Sequence, residues 1–198
     1  MLSFLIWGIS LVIAVTIHES SHAFVADKLG DPTASLEGRV TLNPLKHLDP
    51  IGTLMLILFR FGWGKPVPFD PFNLQHPKRD SALISLAGPA SNLIFATLLS
   101  VIAKAAGLPI LSLISIPLII MNINLAIFNL IPIPPLDGSK ILYGILPISW
   151  AEEFNHFMKD YGMLLLILLI IPIGGSSLAI NLILPVINLI TNLLLPLL

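Results

Sequence analysis

The charged residues of this chain are confined to two blocks, and this distribution constrains its fold more than any other feature. Apart from Lys104, every Asp, Glu, Lys and Arg lies within residues 18–80 or 136–160. The 198 residues are 56% hydrophobic and 11% charged, with a mean hydropathy of +0.94, whereas soluble domains carry about 25% charged residues. The composition therefore predicts an integral membrane protein, and a net charge of −1 gives no reason to expect nucleic acid as a partner.

The uncharged stretches are long enough to form membrane-spanning helices. Such helices need about 20 mostly apolar residues, and four segments qualify or nearly do so: about 2–27, about 81–104, about 109–131 and the tail from Tyr161. Pro172 and Gly174-Gly175 interrupt the tail, which predicts either two short spans or one span and a re-entrant piece. We expect an all-α polytopic membrane protein of about 4–6 transmembrane helices. It forms a single domain, with its core at about 1–147 and C-terminal membrane helices at about 161–198.

The polar block after the first span carries a different pattern. Leu36, Val40 and Leu42 alternate with Glu37, Arg39 and Thr41, and period-two alternation is typical of a strand. The apolar run 51–59 is too short to span a membrane, which favours a strand, a hairpin or a re-entrant segment. We therefore expect a small membrane-associated β-strand or hairpin region near residues 36–70.

The distribution of Lys and Arg predicts the orientation in the membrane. Seven of these residues fall within residues 27–80, and Lys and Arg are enriched in cytoplasmic loops. The first helix then runs inward, the helix at 81–104 outward and the helix at 109–131 inward. The end of the first helix and the stretch after Leu130 are therefore expected at similar depth.

A histidine pair stands near the end of the first span, in the sequence "TIHESSHAF". His18 and His22 are four residues apart, so on a helix they share one face and can bind one Zn²⁺. Glu19 points beside such a metal, where a general base for water belongs. Ionisable groups within a membrane are costly and usually functional. The alternative is a histidine pair at the helix end, with Glu19 paired to Lys28 or Arg39.

A zinc hydrolase needs a third protein ligand and one open position. The chain has no cysteine, so this ligand must be histidine or a carboxylate. Asp137, in "NLIPIPPLDGSKIL", is expected at the depth of the histidine pair, whereas Glu37 has no obvious path back to it. The sequence around Asp137 is equally compatible with a turn aspartate that caps the helix from Ser139 onward.

These motifs together resemble the site-2 protease family of intramembrane zinc metalloproteases. The resemblance rests on "HESSH" in a first apolar helix, "GDPTASLEGRVTLNPLKHLDPIGTL", "AGPASNL" and "NLIPIPPLDG", and it covers about residues 10–145. It is strongest to the small prokaryotic members without a PDZ domain. It implies that His18, His22 and Asp137 bind zinc and that Glu19 is the catalytic acid/base. It also implies a protease of the cell membrane that cleaves transmembrane segments of other proteins.

Two asparagines in apolar helices are candidates for substrate contact. Asn92 lies in "GPASN", and Asn129 lies eight residues before Asp137. Either amide is able to hydrogen-bond a bound peptide or an oxyanion, and hydrogen bonding between helices is the alternative for both. Gly88-Pro89 is expected to kink its helix and open space beside the metal. The strand predicted at 36–42 offers backbone partners for an unwound substrate.

Other functions fit the sequence less well. Glu153-x-x-His156 repeats the spacing of Glu19-x-x-His22, which is typical of di-metal carboxylate bundles, but residues 150–160 look like a polar helix on the membrane surface. A metal transporter would show an inverted repeat, and none is visible. A non-catalytic homologue that only binds membrane helices would not need Glu19. The lipid bilayer is an expected partner and a regulatory membrane protein a possible one; the oligomeric state is not predicted.

Overall fold

Helices account for most of the chain. The computed structural model describes residues 2–59, 62–107, 109–173 and 175–195. The helices of these ranges are α1 (Leu2–Lys28), α2 (Thr33–Leu36), α3 (Pro50–Phe59), α4 (Pro77–Ala106), α5 (Pro109–Asn129), α6 (Asp137–Ile145), α7 (Ile148–Ile170) and α8 (Leu178–Leu194). Two 3-10 turns lie at Pro44–Lys46 and Pro71–Asn73. Two-residue strands, β1 (Pro172–Ile173) and β2 (Ser176–Ser177), form an antiparallel pair.

Two of the described helices are long and apolar enough to cross a membrane. They are Ser3–Lys28, which is nearly all of α1, and Pro77–Ala106, which is α4. The apolar helical stretches Leu113–Asn129 and Leu178–Leu194 are shorter. The predicted α-helical architecture is thus confirmed, whereas the count of about 4–6 spans stays a prediction.

Helix α4 turns polar side chains toward the interior of the helix bundle and apolar ones outward. Asn92 and Ser100 of α4 are fully buried, while Ile94, Leu98 and Ile102 of the same helix are more than half exposed. In a bilayer, lipid solvates apolar side chains, and polar groups turn inward to find partners. Ser100 illustrates this, because its hydroxyl donates to the carbonyl of Leu194 at 2.7 Å and links α4 to α8.

Helix α1 ends where the sequence predicts. Its last residue is Lys28, and Gly30 follows with a φ of 105°, a conformation that favours glycine. The Asp31 carboxylate is buried and accepts hydrogen bonds from the backbone N–H and the hydroxyl of Thr33. It also accepts from the Asp70 N–H and the Asn73 amide. The end of α1 is therefore tied to the loop that precedes α4.

The β region predicted near residues 36–70 is wrong for the residues that the structure describes there. The alternating stretch begins at the end of α2 and continues as irregular backbone, and the apolar run 51–59 forms α3. Asp49 and Pro50 explain why α3 begins where it does. The Asp49 carboxylate caps the helix by accepting a hydrogen bond from the Gly52 N–H at 2.7 Å, and Pro50 is the first helical residue, a position that proline favours. In the described part of residues 36–70, the β-type backbone pairing is one isolated antiparallel bridge between Leu48 and Gly64.

The alternation in residues 36–42 does not match the burial of these side chains. Leu36 and Leu42 are 83% and 72% exposed, whereas Arg39 is 2% exposed. Leu36 and Leu42 thus face outward together with the exposed Glu37, while Arg39 faces inward. The alternating residues therefore do not form one buried apolar side and one exposed polar side.

The C-terminal part is interrupted as predicted. Helix α7 runs without a break from the polar residues at 150–160 into the apolar ones, so it is not confined to a surface segment. It ends at Ile170, before the β1–β2 pair; Gly174 lies outside the described residues. The Ser177 hydroxyl then caps α8 by accepting from the Ile180 N–H. The division of 1–198 into a core and a helical tail stays a prediction.

Candidate metal centre

Three potential metal ligands converge where α1, α4 and α6 meet. His18 Nε2 lies 2.9 Å from Asp137 Oδ2, and His22 Nε2 lies 3.3 Å from the same oxygen. Each of the three residues offers one ligand atom, and these atoms lie within 4.8 Å of one another. Among the described residues, this is the cluster of histidine and acidic side chains that could hold a metal ion. Both histidines are buried and Asp137 is half-buried.

The helical spacing brings the two histidines together, and the start of α6 brings the carboxylate. Asp137 is the first residue of α6, and its side chain points to the histidines instead of capping the helix. Gly138 permits this approach, because a Cβ at this position would collide with the carbonyl oxygens of Leu130 and Ile131. The "LDG" glycine is therefore required for α6 to begin directly against the end of α5.

Hydrogen bonds fix which nitrogen of each histidine faces the site. His22 Nδ1 lies 2.6 Å from the carbonyl oxygen of Ile84, which only accepts, so this nitrogen carries the proton. His18 Nδ1 lies 2.7 Å from Asn92 Oδ1 and donates to it. Both Nε2 atoms are then unprotonated in the neutral rings.

This donor set fits a metal cation. Two imidazole lone pairs and one carboxylate oxygen lie next to one another, and they repel unless a cation lies among them. Nitrogen and carboxylate oxygen are ligands that Zn²⁺ accepts, and three protein ligands leave a fourth position open. Gly88 of α4 keeps space here, because a Cβ would lie 2.5 Å from His22 Nε2 and 2.6 Å from His18 Nε2.

Glu19 lies beside the histidine pair and is half-buried. Its Oε2 accepts a hydrogen bond from the backbone N–H of Val67 at 3.0 Å. Val67 belongs to the loop between α3 and α4, so a segment distant in sequence covers the catalytic candidate. The pairing of Glu19 with Lys28 or Arg39 is not found among the described salt bridges.

Comparison with known proteins assigns the chain to a family. Residues 103–172 match the model of peptidase family M50. YwhC of Bacillus subtilis is 39% identical over 178 residues, which cover 84% of this chain and 81% of that protein. The chain belongs to peptidase family M50. This confirms the resemblance to site-2 proteases, and YwhC is named as a zinc metalloprotease.

Two further M50 relatives are longer. Rip2 of Mycolicibacterium smegmatis is 31% identical over 179 residues, which cover 81% of this chain and 64% of that protein. MJ0392 of Methanocaldococcus jannaschii is 29% identical over 143 residues, which cover 70% of this chain and 33% of that protein. Both are named as zinc metalloproteases. No solved structure matches the M50 chain.

The two asparagines predicted to contact substrate differ in position. Asn92 is fully buried, and its Oδ1 bonds His18. Its Nδ2 donates to the Ala14 carbonyl and to Asn122 Oδ1. In this M50 protein Asn92 therefore supports a histidine and also joins helices, as the alternative reading allowed. Asn129 donates to the Leu125 carbonyl of its own helix, and its contact with substrate stays a prediction.

Several residues around the site escape the sequence motifs. Asn122 of α5 is fully buried and orients the Asn92 amide, and an asparagine in an apolar helix is the signal that reveals it. Val67 contributes only its backbone N–H to the site, so the identity of its side chain could not have revealed this role in the sequence. The two alternative ligand sets do not form among the described residues: Glu37 is exposed, and His156 pairs at 3.6 Å with Asp160, with both side chains on the exposed side of α7.

Proposed function

We propose that this M50 protein is a zinc-dependent endopeptidase that cleaves peptide bonds within or near transmembrane segments of other membrane proteins. One observation carries the proposal: His18, His22 and Asp137 converge among apolar helices, with Glu19 beside them. Two neutral histidines and a carboxylate form the donor set of a hydrolytic zinc site. The zinc metalloprotease names of the M50 relatives support the same reaction.

The residues that would hold zinc are His18, His22 and Asp137. When bound, Zn²⁺ lowers the pKa of water toward neutrality and polarises a peptide carbonyl. Each histidine is oriented by its other ring nitrogen, through Asn92 Oδ1 and the Ile84 carbonyl. Such outer hydrogen bonds keep the ligand tautomer and the ring direction fixed.

Glu19 is the acid/base of the proposed reaction. Its carboxylate accepts a proton from the attacking water and returns it to the amine of the leaving peptide. The Val67 N–H at 3.0 Å stabilises the charged carboxylate and restricts its rotation. Glu19 also follows His18 directly in α1, so helix geometry keeps it next to the donor set.

A groove on the helix that carries the histidines supports entry of a peptide from the membrane. Its volume is about 490 Å³, and it is lined by α1, α4 and the segment 40–42, including Ser20 and Ser21 of α1. Phe24, Leu42 and Ile94 at its edge are exposed apolar side chains. We infer that an apolar substrate segment unwinds here, since a helical substrate hides its amides in intrahelical bonds.

The protein is a membrane protein by its family and its apolar helices. We propose several membrane crossings and an active site nearer the cytoplasmic side. The seven Lys and Arg of residues 27–80 support this side, because the histidine pair precedes that block directly. Neither a transporter nor a di-metal carboxylate bundle is favoured by the M50 membership.

Purified protein with a model transmembrane peptide in detergent or liposomes tests this function. The measurements are cleavage rate and zinc content for the wild type, Glu19→Gln and the control Glu153→Gln. We expect Glu19→Gln to retain zinc and lose at least about 100-fold in cleavage, while Glu153→Gln behaves as the wild type. Full cleavage by Glu19→Gln would reject the proposed role, and loss of zinc in Glu153→Gln would revive the di-metal alternative.

A further inference from the structure

Arg39 is a buried cation beside the proposed site. It is 2% exposed, and in the described ranges no carboxylate lies within 4.0 Å of its guanidinium. Its Nε has no hydrogen-bond partner. Burial of a charge without a counter-ion is costly, so this arginine must be held by another interaction that the fold requires.

The partners of Arg39 are two consecutive carbonyl groups. Nη1 donates to the Pro66 oxygen at 3.2 Å, and Nη2 donates to the Lys65 oxygen at 2.5 Å. Lys65 is also fixed from the other side, because its N–H donates to the His47 carbonyl at 2.7 Å. The segment 65–67 therefore sits in a fixed position over α1.

One peptide group links Arg39 to Glu19. The carbonyl of Pro66 accepts from Arg39, and the N–H of the same peptide group belongs to Val67 and donates to Glu19 at 3.0 Å. Hydrogen bonds at the two ends of a peptide group polarise it and strengthen each other. The positive guanidinium therefore strengthens the donor that the Glu19 carboxylate uses.

The sequence "PVP" makes this donor unique in its segment. Pro66 and Pro68 have no N–H, so Val67 supplies the single backbone donor at residues 66–68. The proline rings also restrict the backbone on both sides of Val67. A rigid segment with one N–H is suited to hold one acceptor in one place.

We propose that Arg39 is a positioning residue for Glu19 and acts through the Pro66–Val67 peptide group. This inference rests on the proposed protease function. Arg39 holds the carbonyl, and the peptide N–H holds the Glu19 carboxylate at the angle needed to take a proton from water. Arg39 makes no contact with the zinc ligands or with substrate in this role.

A double-mutant cycle tests the link, with Arg39→Gln, Val67→Pro and the double variant. Val67→Pro removes the N–H that bonds Glu19, and Val67→Ala is its control because it keeps the N–H. We expect each of Arg39→Gln and Val67→Pro to lower kcat about 10- to 100-fold, with KM within about twofold and zinc content unchanged. The double variant should be no slower than the slower single variant, because both changes break one chain of bonds.

A readout independent of activity is amide exchange. Val67 is the one exchangeable amide between Lys65 and Phe69, so its protection is measurable by hydrogen exchange of the zinc-loaded protein. Exchange at Val67 should accelerate in Arg39→Gln and in Glu19→Gln, but not in Lys46→Gln, which changes an exposed cation of the same region. If Arg39→Gln does not fold, Arg39→Lys replaces it, and an intermediate kcat is expected because lysine still reaches one carbonyl.

The outcomes separate this inference from the function itself. If the wild type cleaves and Glu19→Gln does not, the function stands. An unchanged kcat in Arg39→Gln and Arg39→Lys, or multiplicative losses in the double variant, then overturns the role of Arg39 alone. A change confined to KM overturns it as well, since that result would mean that segment 65–67 contacts substrate.

Discussion

Asn92 Oδ1 lies 2.7 Å from His18 Nδ1, and this bond fixes the tautomer of a buried histidine in the middle of the helix bundle. The Asn92 amide cannot rotate freely, because its Nδ2 donates to Ala14 and Asn122. The oxygen is therefore always presented to His18. The lone pair of His18 Nε2 is directed at Asp137 as a consequence.

Replacement of Asn92 should weaken zinc binding. Asn92→Leu keeps the approximate side-chain volume but removes the acceptor, so His18 loses its orientation. We expect zinc affinity to fall about 10- to 100-fold, the usual cost of losing a partner behind a metal ligand. Competition with a zinc chelator measures this. The control is Asn129→Leu, whose amide bonds Leu125 of its own helix; equal affinity in the wild type and Asn92→Leu would refute the tautomer argument.

Gly88→Ala should exclude the metal while leaving α4 intact. The added methyl group would lie 2.5 Å from His22 Nε2. Overpacking costs about 1–3 kcal/mol, which corresponds to a loss of roughly 5- to 150-fold in zinc affinity. Alanine is the better helix former by about 1 kcal/mol, so helix content should be retained in circular dichroism.

A matched glycine is available for this test. A methyl group at Gly8 of α1 would meet nothing within 4 Å outside the backbone of its own helix turn, so Gly8→Ala should bind zinc as the wild type does. Normal zinc affinity in Gly88→Ala would show that the space beside the histidines is not needed for the ion.

Asp31 should make the stability of the protein dependent on pH in the acidic range. Burial raises the pKa of its carboxyl group, but hydrogen bonds from Thr33, Asn73 and the Asp70 N–H outweigh this and hold the pKa below its ordinary value of 3.8. Because this pKa is lower in the folded than in the unfolded protein, the charged carboxylate stabilises the fold at every pH above the unfolded-state pKa. This stabilisation is lost as the pH falls through the folded-state pKa.

Asp31→Ala measures that contribution. At pH 7 the variant leaves buried donors without an acceptor, which costs about 1–3 kcal/mol. We expect its thermal unfolding in detergent to occur below that of the wild type at pH 7, and the difference to narrow below about pH 3.8. Asp160→Ala is the control, because that side chain is 53% exposed. A difference independent of pH would exclude the charged hydrogen-bonded state.

The sequence predicts the elements of the site that depend on spacing and on membrane crossings. His18 and His22 follow from the helical repeat, whereas Asp137 is favoured over a turn aspartate only by the expected depth of two distant segments together with the family resemblance. The contact between Asp137 and both histidines agrees with that expectation. Gly88 was expected to open space by a kink with Pro89, whereas its missing Cβ next to the histidines is what matters here.

The parts that sequence reasoning misses depend on contacts without a pattern. The alternation around Arg39 predicts a strand because period two is typical of a sheet with one buried apolar face, but here the backbone is irregular, the leucines are exposed and the arginine is buried. The Val67 N–H is a backbone donor in a loop, and its partner is 48 residues away. Neither hydropathy nor spacing identifies such a bond.

The central claim is that His18, His22 and Asp137 hold one zinc ion, and zinc content of two carboxylate variants tests it most directly. Asp137→Asn and Glu37→Gln remove the two candidate third ligands, and zinc per protein is measured by elemental analysis after dialysis against a weak chelator. The account predicts that Asp137→Asn loses most of its zinc while Glu37→Gln keeps the wild-type content. Retention of zinc by Asp137→Asn together with its loss from Glu37→Gln would contradict the account.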